Sequence, residues 1–138
     1  MKKLLIATVI LLSYQLNCNT MVINSLPLIV NSESINPYID IWKAVCMVES
    51  TNNAKAYNRR EKATGIAQIR PIKLKDYNQR THSHYTLVDC YKVEVSKKIF
   101  MYYAQKFNPN EYNKIATDWN KCRNNTYWLK VKKYIKTT

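Results

Sequence analysis

The sequence predicts a small, mainly α domain built around a single cleft. Three observations lead there. The chain has 138 residues, which is room for one domain and little more. Apolar residues recur at helical spacing along most of its length, and no stretch alternates as a half-buried strand would. Asparagine followed by proline, a helix-opening pair, occurs at Asn36-Pro37 and again at Asn108-Pro109.

Composition narrows the function classes. Hydrophobic residues make up 46% of the chain, too many for a disordered tail. Twenty-two Lys+Arg stand against 9 Asp+Glu, a net charge of +13. That balance favours anionic partners: nucleic acid, anionic lipid or an anionic cell-wall polymer. It fits poorly with a calcium protein, which needs clustered carboxylates. A single glycine excludes Gly-rich phosphate loops and makes Gly65 a position to explain.

Residues 1–20 have the pattern of an export signal. Lys2 and Lys3 form a basic start, and Leu4 to Leu16 is an almost unbroken apolar run. The run suits a signal and falls short of the ~20 residues of a membrane span. Cleavage is expected near Thr20. The alternatives are an uncleaved anchor, a lipoprotein signal using Cys18 and a buried N-terminal helix. The lipoprotein form is weakened by Asn17, where a small residue is usual. Export would place the protein in the periplasm or outside the cell. Residues 21–35 read as a lead-in or tether, and the domain spans 36–138. Its cysteines are Cys46, Cys90 and Cys122. Spacing does not fix their pairing. Cys90 with Cys122 is one choice, with Cys46 as a buried free thiol.

The elements follow in order. A first helix covers about 37–50, with Ile41, Val45 and Val48 on one row and Trp42, Cys46 and Glu49 on the next. Residues 51–64 are polar and turn-rich. Pro71 restricts Arg70 and breaks any long helix there. A second helical tract covers about 72–79, and 80–86 form a loop. A third helix covers about 88–107, with Val95, Ile99, Tyr102 or Tyr103 and Phe107 available for burial. Asn108-Pro109 opens a fourth at about 109–120, with Tyr112, Ile115, Ala116 and Trp119 in register. Thr126 is placed to cap the last helix. Tyr127, Trp128, Val131, Tyr134 and Ile135 face inward there, and Lys130, Lys132, Lys133 and Lys136 face largely outward.

Glu49 is the first candidate for chemistry. Its spacing puts it on the stripe of Trp42 and Cys46, leaning toward an apolar interior. It also lies near a helix C-terminus, where the macrodipole disfavours an anion. Both effects raise a carboxyl pKa, and a carboxylic acid still protonated near neutrality can serve as a general acid. The plainer alternative is a solvated glutamate on the last turn.

Glu49-Ser50, a short polar loop and then Gly65-Ile66-Ala67-Gln68-Ile69-Arg70-Pro71 resemble the soluble lytic transglycosylase family of the lysozyme-like superfamily. That family carries a Glu-Ser pair at a helix end, then a Gly-Leu-Met-Gln type motif commonly followed by Ile-x-Pro. The resemblance implies a lysozyme-like fold with Glu49 as catalytic acid/base. It also implies that Gly65 to Gln68 line the cleft opposite. Its substrate contacts would be Ser50, Gly65, Ile66, Gln68, Trp119 and Asn120. The family's third motif is of the Ala-Tyr-Asn-Ala-Gly type, and its best match is Ala116-Thr117-Asp118-Trp119-Asn120. Asn120 fits the family asparagine. Trp119 stands where tyrosine is expected, and Lys121-Cys122 replace the small residue and glycine. The family tyrosine is thought to hydrogen-bond the catalytic carboxyl. An indole N–H could donate similarly but cannot accept. Tyr102 or Tyr103 is therefore a candidate for that role. Core packing is the plainer role for Trp119, as an ordinary turn is for Gly65 and a surface amide for Gln68.

The resemblance implies action on peptidoglycan glycan strands with no metal or organic cofactor; a monomer is expected, and the export signal argues against an intracellular nucleic-acid partner. Hydrolytic glycosidases use two carboxyl groups, about 5–5.5 Å apart if retaining and about 6.5–9.5 Å if inverting. The nearest acids downstream of Glu49 are Glu61 and Asp76, both read as surface carboxylates. Lytic transglycosylases need one glutamate. A chain poor in acids suits that chemistry, with a hydrolytic lysozyme on the same fold as the alternative. A non-catalytic cationic wall-binding protein is a second alternative, and secreted nucleic-acid binding a third. His82-Ser83-His84 with Cys90 match no zinc spacing and read as a solvated loop. Cys46 lacks an evident imidazole partner for a thiol nucleophile.

Overall fold

A computed structural model describes residues 36–121 and 125–135. The expected signal at 1–20, the lead-in at 21–35, Cys122 and Lys136 lie outside these described residues. The described chain is mainly helical, with five α-helices and very little strand.

Helix α1 spans Ile39–Ser50. Asn36 and Pro37 form a turn ahead of it rather than its first residues. The Asn36 side-chain oxygen accepts from the Tyr38 N–H at 3.0 Å, and its carbonyl accepts from Ile39 N–H at 3.0 Å. Ile41, Trp42, Ala44, Val45 and Cys46 are buried, as the spacing requires. The helix stops because Thr51 and Asn52 both turn left-handed, at φ 55° and 60°. Their N–H groups fold back onto the carbonyls of Met47 and Cys46. Glu49 and Ser50 therefore sit on the last turn, where the chain changes direction.

A small hairpin follows, where the sequence predicts no strand. Strand β1, Tyr57–Asn58, pairs antiparallel with β2, Ala63–Thr64, in the register Tyr57 to Thr64 and Asn58 to Ala63. The Asn58 side-chain oxygen accepts from the N–H groups of Arg60 and Glu61 and so shapes the turn. Two-residue strands are too short for a period-2 pattern to register, which is why the sequence does not reveal them.

Helix α2 spans Pro71–Thr81, with Pro71 at its start as proline's fixed φ favours. The single helix expected over 88–107 is divided. A 3₁₀ turn at Asp89–Tyr91 precedes helix α3, Val93–Ala104. Asp89 accepts from both the N–H and the hydroxyl of Thr86, at 2.9 and 2.7 Å. The buried Ser96 hydroxyl donates to the Cys90 carbonyl at 2.7 Å. These side-chain bonds hold the chain in a turn, with Lys92 extended between the two helical pieces.

Helix α4 spans Tyr112–Asn120 and α5 spans Thr126–Lys132. Asn108-Pro109 again make a turn before the helix, closed by the Glu111 carboxylate accepting from Asn108 N–H at 3.2 Å. On α5, Tyr127 and Val131 are buried, but Tyr134, expected inward, is exposed beyond the helix end. The core lies where α1 meets α3, α4 and α5. Its aromatic centre runs Trp42, Phe100, Trp119, with ring centroids 5.2 and 5.0 Å apart. Among the described residues no helix is long and apolar enough to cross a membrane.

Candidate active site

The end of α1 is tied to the Gly65–Gln68 segment by its own serine. The Ser50 hydroxyl lies 2.7 Å from the Ile66 carbonyl and 3.3 Å from that of Cys46. Gly65 to Gln68 form a tight turn closed by Thr64 and Ile69, whose N–H and carbonyl groups exchange bonds at 3.0 and 2.9 Å. Gly65 has φ 79° and is packed on the Cys90 backbone. A Cβ there would lie 2.0 Å from the Cys90 carbonyl oxygen. Only glycine fits, for reasons of both conformation and space.

Gln68 closes the turn in a left-handed conformation, φ 50°, that costs a non-glycine residue about 1–2 kcal/mol. Its side-chain amide donates toward the carbonyls of Gly65 and Ala56, at 2.9 and 3.3 Å. The turn thus turns this side chain back upon itself while placing Gln68 on the wall of a cleft.

That cleft has a volume of about 640 Å³ and runs from Glu49 along the exposed side of α2. Of the residues expected at the site, it brings together Glu49, Gln68, Trp119 and Asn120. Ser50, Gly65 and Ile66 do not line it. Gly65 and Ile66 are buried and, with Ser50, form the frame that fixes the turn against α1. Trp119 contributes to the wall but is only 5% exposed, with its ring against Phe100 and the Lys73 ammonium 3.9 Å from its centroid. Its indole is a core group, with that face already covered.

Glu49 is half-buried and keeps one hydrogen-bonding partner at short range. The Tyr127 hydroxyl donates to Oε1 at 2.7 Å, and Asn120 shares the wall of the cleft with it. Burial raises the pKa of Glu49 and is the largest influence. The bond from Tyr127, the neighbouring Asn120 amide and the charge of Arg70 oppose it without cancelling it. The Tyr127 hydroxyl is itself pushed up by burial and by the adjacent carboxyl, so it remains a donor.

Tyr127 is the partner that the sequence reading missed. Tyr102 and Tyr103, the candidates for that role, lie elsewhere. The Tyr103 hydroxyl is 2.7 Å from Asp76 Oδ2 and 3.0 Å from the Lys73 carbonyl, and shares its one proton between them. Tyr102 packs edge-on against Tyr77 and Tyr103. Tyr127 is legible as an inward residue of the last helix, but nothing in sequence links it to a carboxyl 78 residues away.

Asp76 also lines the cleft. Arg80 bonds its Oδ1 at 2.7 Å, and with Tyr103 holds the carboxyl below the usual range. Glu61, the other acid singled out, pairs with Arg70 at 3.1 Å and ties the hairpin to the start of α2.

The cysteines take no part. Cys46 and Cys90 are free and buried among the described residues, and Cys122, the other half of the pairing considered for Cys90, lies outside them. Burial first, and Glu49 second, push the Cys46 thiol up to about 12, which removes it as a nucleophile at neutral pH. His82 ends α2, and with His84 it lines a separate shallow hollow. Among the described residues no cluster of three His, Cys, Asp or Glu could hold a metal ion.

Compared with protein-family models, curated proteins and solved structures, the chain finds no match.

Proposed function

We propose that the protein is a glycan-cleaving enzyme of the lytic transglycosylase type, with a lysozyme-like arrangement of helices and Glu49 as its acid/base. The single observation that carries this reading is the environment of Glu49. A carboxyl half-buried at a helix C-terminus, held by a tyrosine hydroxyl on the wall of a cleft, keeps its proton to higher pH than an ordinary glutamate, the direction a general acid needs. The Glu-Ser and Gly-Ile-Ala-Gln motifs support it. Ser50 joins the two directly, although they are far apart in sequence.

In this mechanism Glu49 gives its proton to the glycosidic oxygen between N-acetylmuramic acid and N-acetylglucosamine. The C1–O bond breaks, and the substrate's own acetamido group stabilises the cation developing at C1. Glu49, now a carboxylate, takes the proton of the muramyl 6-hydroxyl. O6 then bonds to C1 and closes the 1,6-anhydro ring, and Glu49 ends protonated as it began. The Tyr127 hydroxyl stabilises Glu49 while it is ionised, between the two proton transfers. The apolar run at 4–16 would deliver the enzyme to the cell wall outside the membrane.

A hydrolytic reading is favoured by one observation: Asp76 is ionised on the wall of the same cleft. Its oxygens are taken up by Arg80 and Tyr103, which leaves it poorly placed to activate a water. The test is mass spectrometry of the soluble products from purified peptidoglycan, with wild type beside Glu49→Gln. Anhydromuramyl fragments that vanish in the variant are expected. Reducing-end muramyl products would move the assignment to a hydrolase. A folded protein that binds wall and releases nothing would show a binding protein instead.

A further inference from the structure

The cleft carries more positive charge than catalysis by Glu49 requires, and its cations fall into two kinds. Arg70, Arg80 and Lys121 each have a carboxylate partner, in Glu61, Asp76 and Asp118 respectively. Lys73, Lys75 and Lys106 also line the cleft and form no ion pair among the described residues. Lys73 and Lys106 are not free-swinging surface groups. The Lys73 ammonium donates to the Trp119 carbonyl at 2.8 Å, at the C-terminal end of α4 where a cation is favoured. It lies 4.8 Å from the centroid of the Tyr103 ring, and the Lys106 ammonium lies 4.5 Å from the same centroid. Tyr103 is itself pinned through its hydroxyl to Asp76 and the Lys73 carbonyl.

One fixed aromatic ring on the cleft wall therefore gathers two ammonium groups, neither of them ion-paired among the described residues. Lys73 is also partly desolvated, and burial brings it down to about 8, still mostly charged at neutrality. An anion entering the cleft beside the Tyr103 ring meets these two cations, which have no carboxylate partner of their own. One N–H of Lys73 is used by the Trp119 carbonyl, and Lys73 still lines the cleft.

We propose that Lys73 and Lys106, set on the Tyr103 ring, form an anion subsite of the cleft that takes a carboxylate carried by the glycan strand. The inference rests on the glycan reading above and deepens it: the cleft selects acidic strands over neutral ones of the same length. Two sources supply this chemistry in peptidoglycan, the lactyl carboxylate of an unsubstituted muramyl residue and the free carboxylates of a stem peptide.

The experiment measures binding to the Glu49→Gln protein, which holds ligands without cleaving them. Three tetrasaccharides are compared: an N-acetylglucosamine tetramer, an alternating muramyl tetramer with free lactyl carboxylates, and that tetramer carrying stem peptides. We expect at least one acidic ligand to bind about tenfold more tightly than the neutral one, and the tighter of the two identifies the source. Adding Lys73→Gln and Lys106→Gln brings that ratio to within about twofold of one. Adding Lys130→Gln and Lys132→Gln instead, at residues outside the cleft, removes the same charge and leaves the ratio intact. Lys106→Gln alone, at an exposed position, lowers it about threefold and serves if the double variant does not fold. Equal binding of neutral and acidic ligands overturns the subsite and leaves the glycan reading standing. So does a ratio that survives the loss of Lys73 and Lys106, or that falls as far with Lys130 and Lys132. Binding of none of the three overturns both.

Discussion

Tyr127→Phe removes the hydrogen bond that most strongly opposes the effect of burial on Glu49. The hydroxyl donates to Glu49 Oε1 at 2.7 Å, while the ring is 7% exposed and packed in the core. Phenylalanine keeps the packing and removes the donor. A hydrogen bond to a charged group contributes about 1.5–3 kcal/mol. The bond strengthens as Glu49 ionises, so its loss falls on the step in which the carboxyl gives up its proton. At 1.36 kcal/mol per factor of ten, glycan cleavage should slow about ten- to a hundredfold. The pKa of Glu49 should also rise further, because the largest opposing influence on it has gone while burial remains. Carbon-detected NMR titration of the Glu49 carboxyl reads this directly, and the pH profile of cleavage should extend its alkaline side at a lower maximum. A stability loss near 1 kcal/mol, as for an ordinary hydrogen bond, accompanies it. An unchanged Glu49 titration in a folded variant would refute the reasoning, whatever happens to the rate.

Glu49 should also make the protein less stable than it need be. Its pKa is raised on folding, so between the ordinary value of 4.5 and the raised one the folded state binds more protons than the unfolded chain. Stability then falls as pH climbs through that window and stays lower above it. Glu49→Gln cannot titrate, so it should be more stable than wild type at neutral pH, with the gap closing below pH 4.5. Chemical denaturation at several pH values measures this, and a gap independent of pH would sink it. Gly65→Ala should cost at least about 2 kcal/mol, since alanine meets both the left-handed conformation and the Cys90 carbonyl. A loss under about 1 kcal/mol in urea denaturation would show that the turn yields to the added Cβ.

The amino-acid sequence by itself determined the helices and their buried faces. Helical periodicity is a local signal, and Ile41, Val45, Ile99, Ile115 and Val131 are all buried where it puts them. It also marked Glu49, through a stripe shared with Trp42 and Cys46, and Gly65, through the rarity of glycine. Element boundaries went less well where side chains outbid the backbone pattern. Asp89 with Thr86, and Ser96 with Cys90, break what reads as one helix at 88–107. Only the tertiary structure decided which groups meet. Tyr127 reaches Glu49, Ser50 reaches the Ile66 carbonyl, and Lys73 and Lys106 share the ring of Tyr103. The contacts of Tyr127 and of Lys73 and Lys106 arise where helices pack, which no spacing along the chain encodes; for Ser50 only the atoms that meet were left to the tertiary structure. The same physics packs Trp119, expected as a substrate contact, largely into the core behind the cleft wall: its ring fills the space beside Phe100, and the Lys73 ammonium covers a face of it.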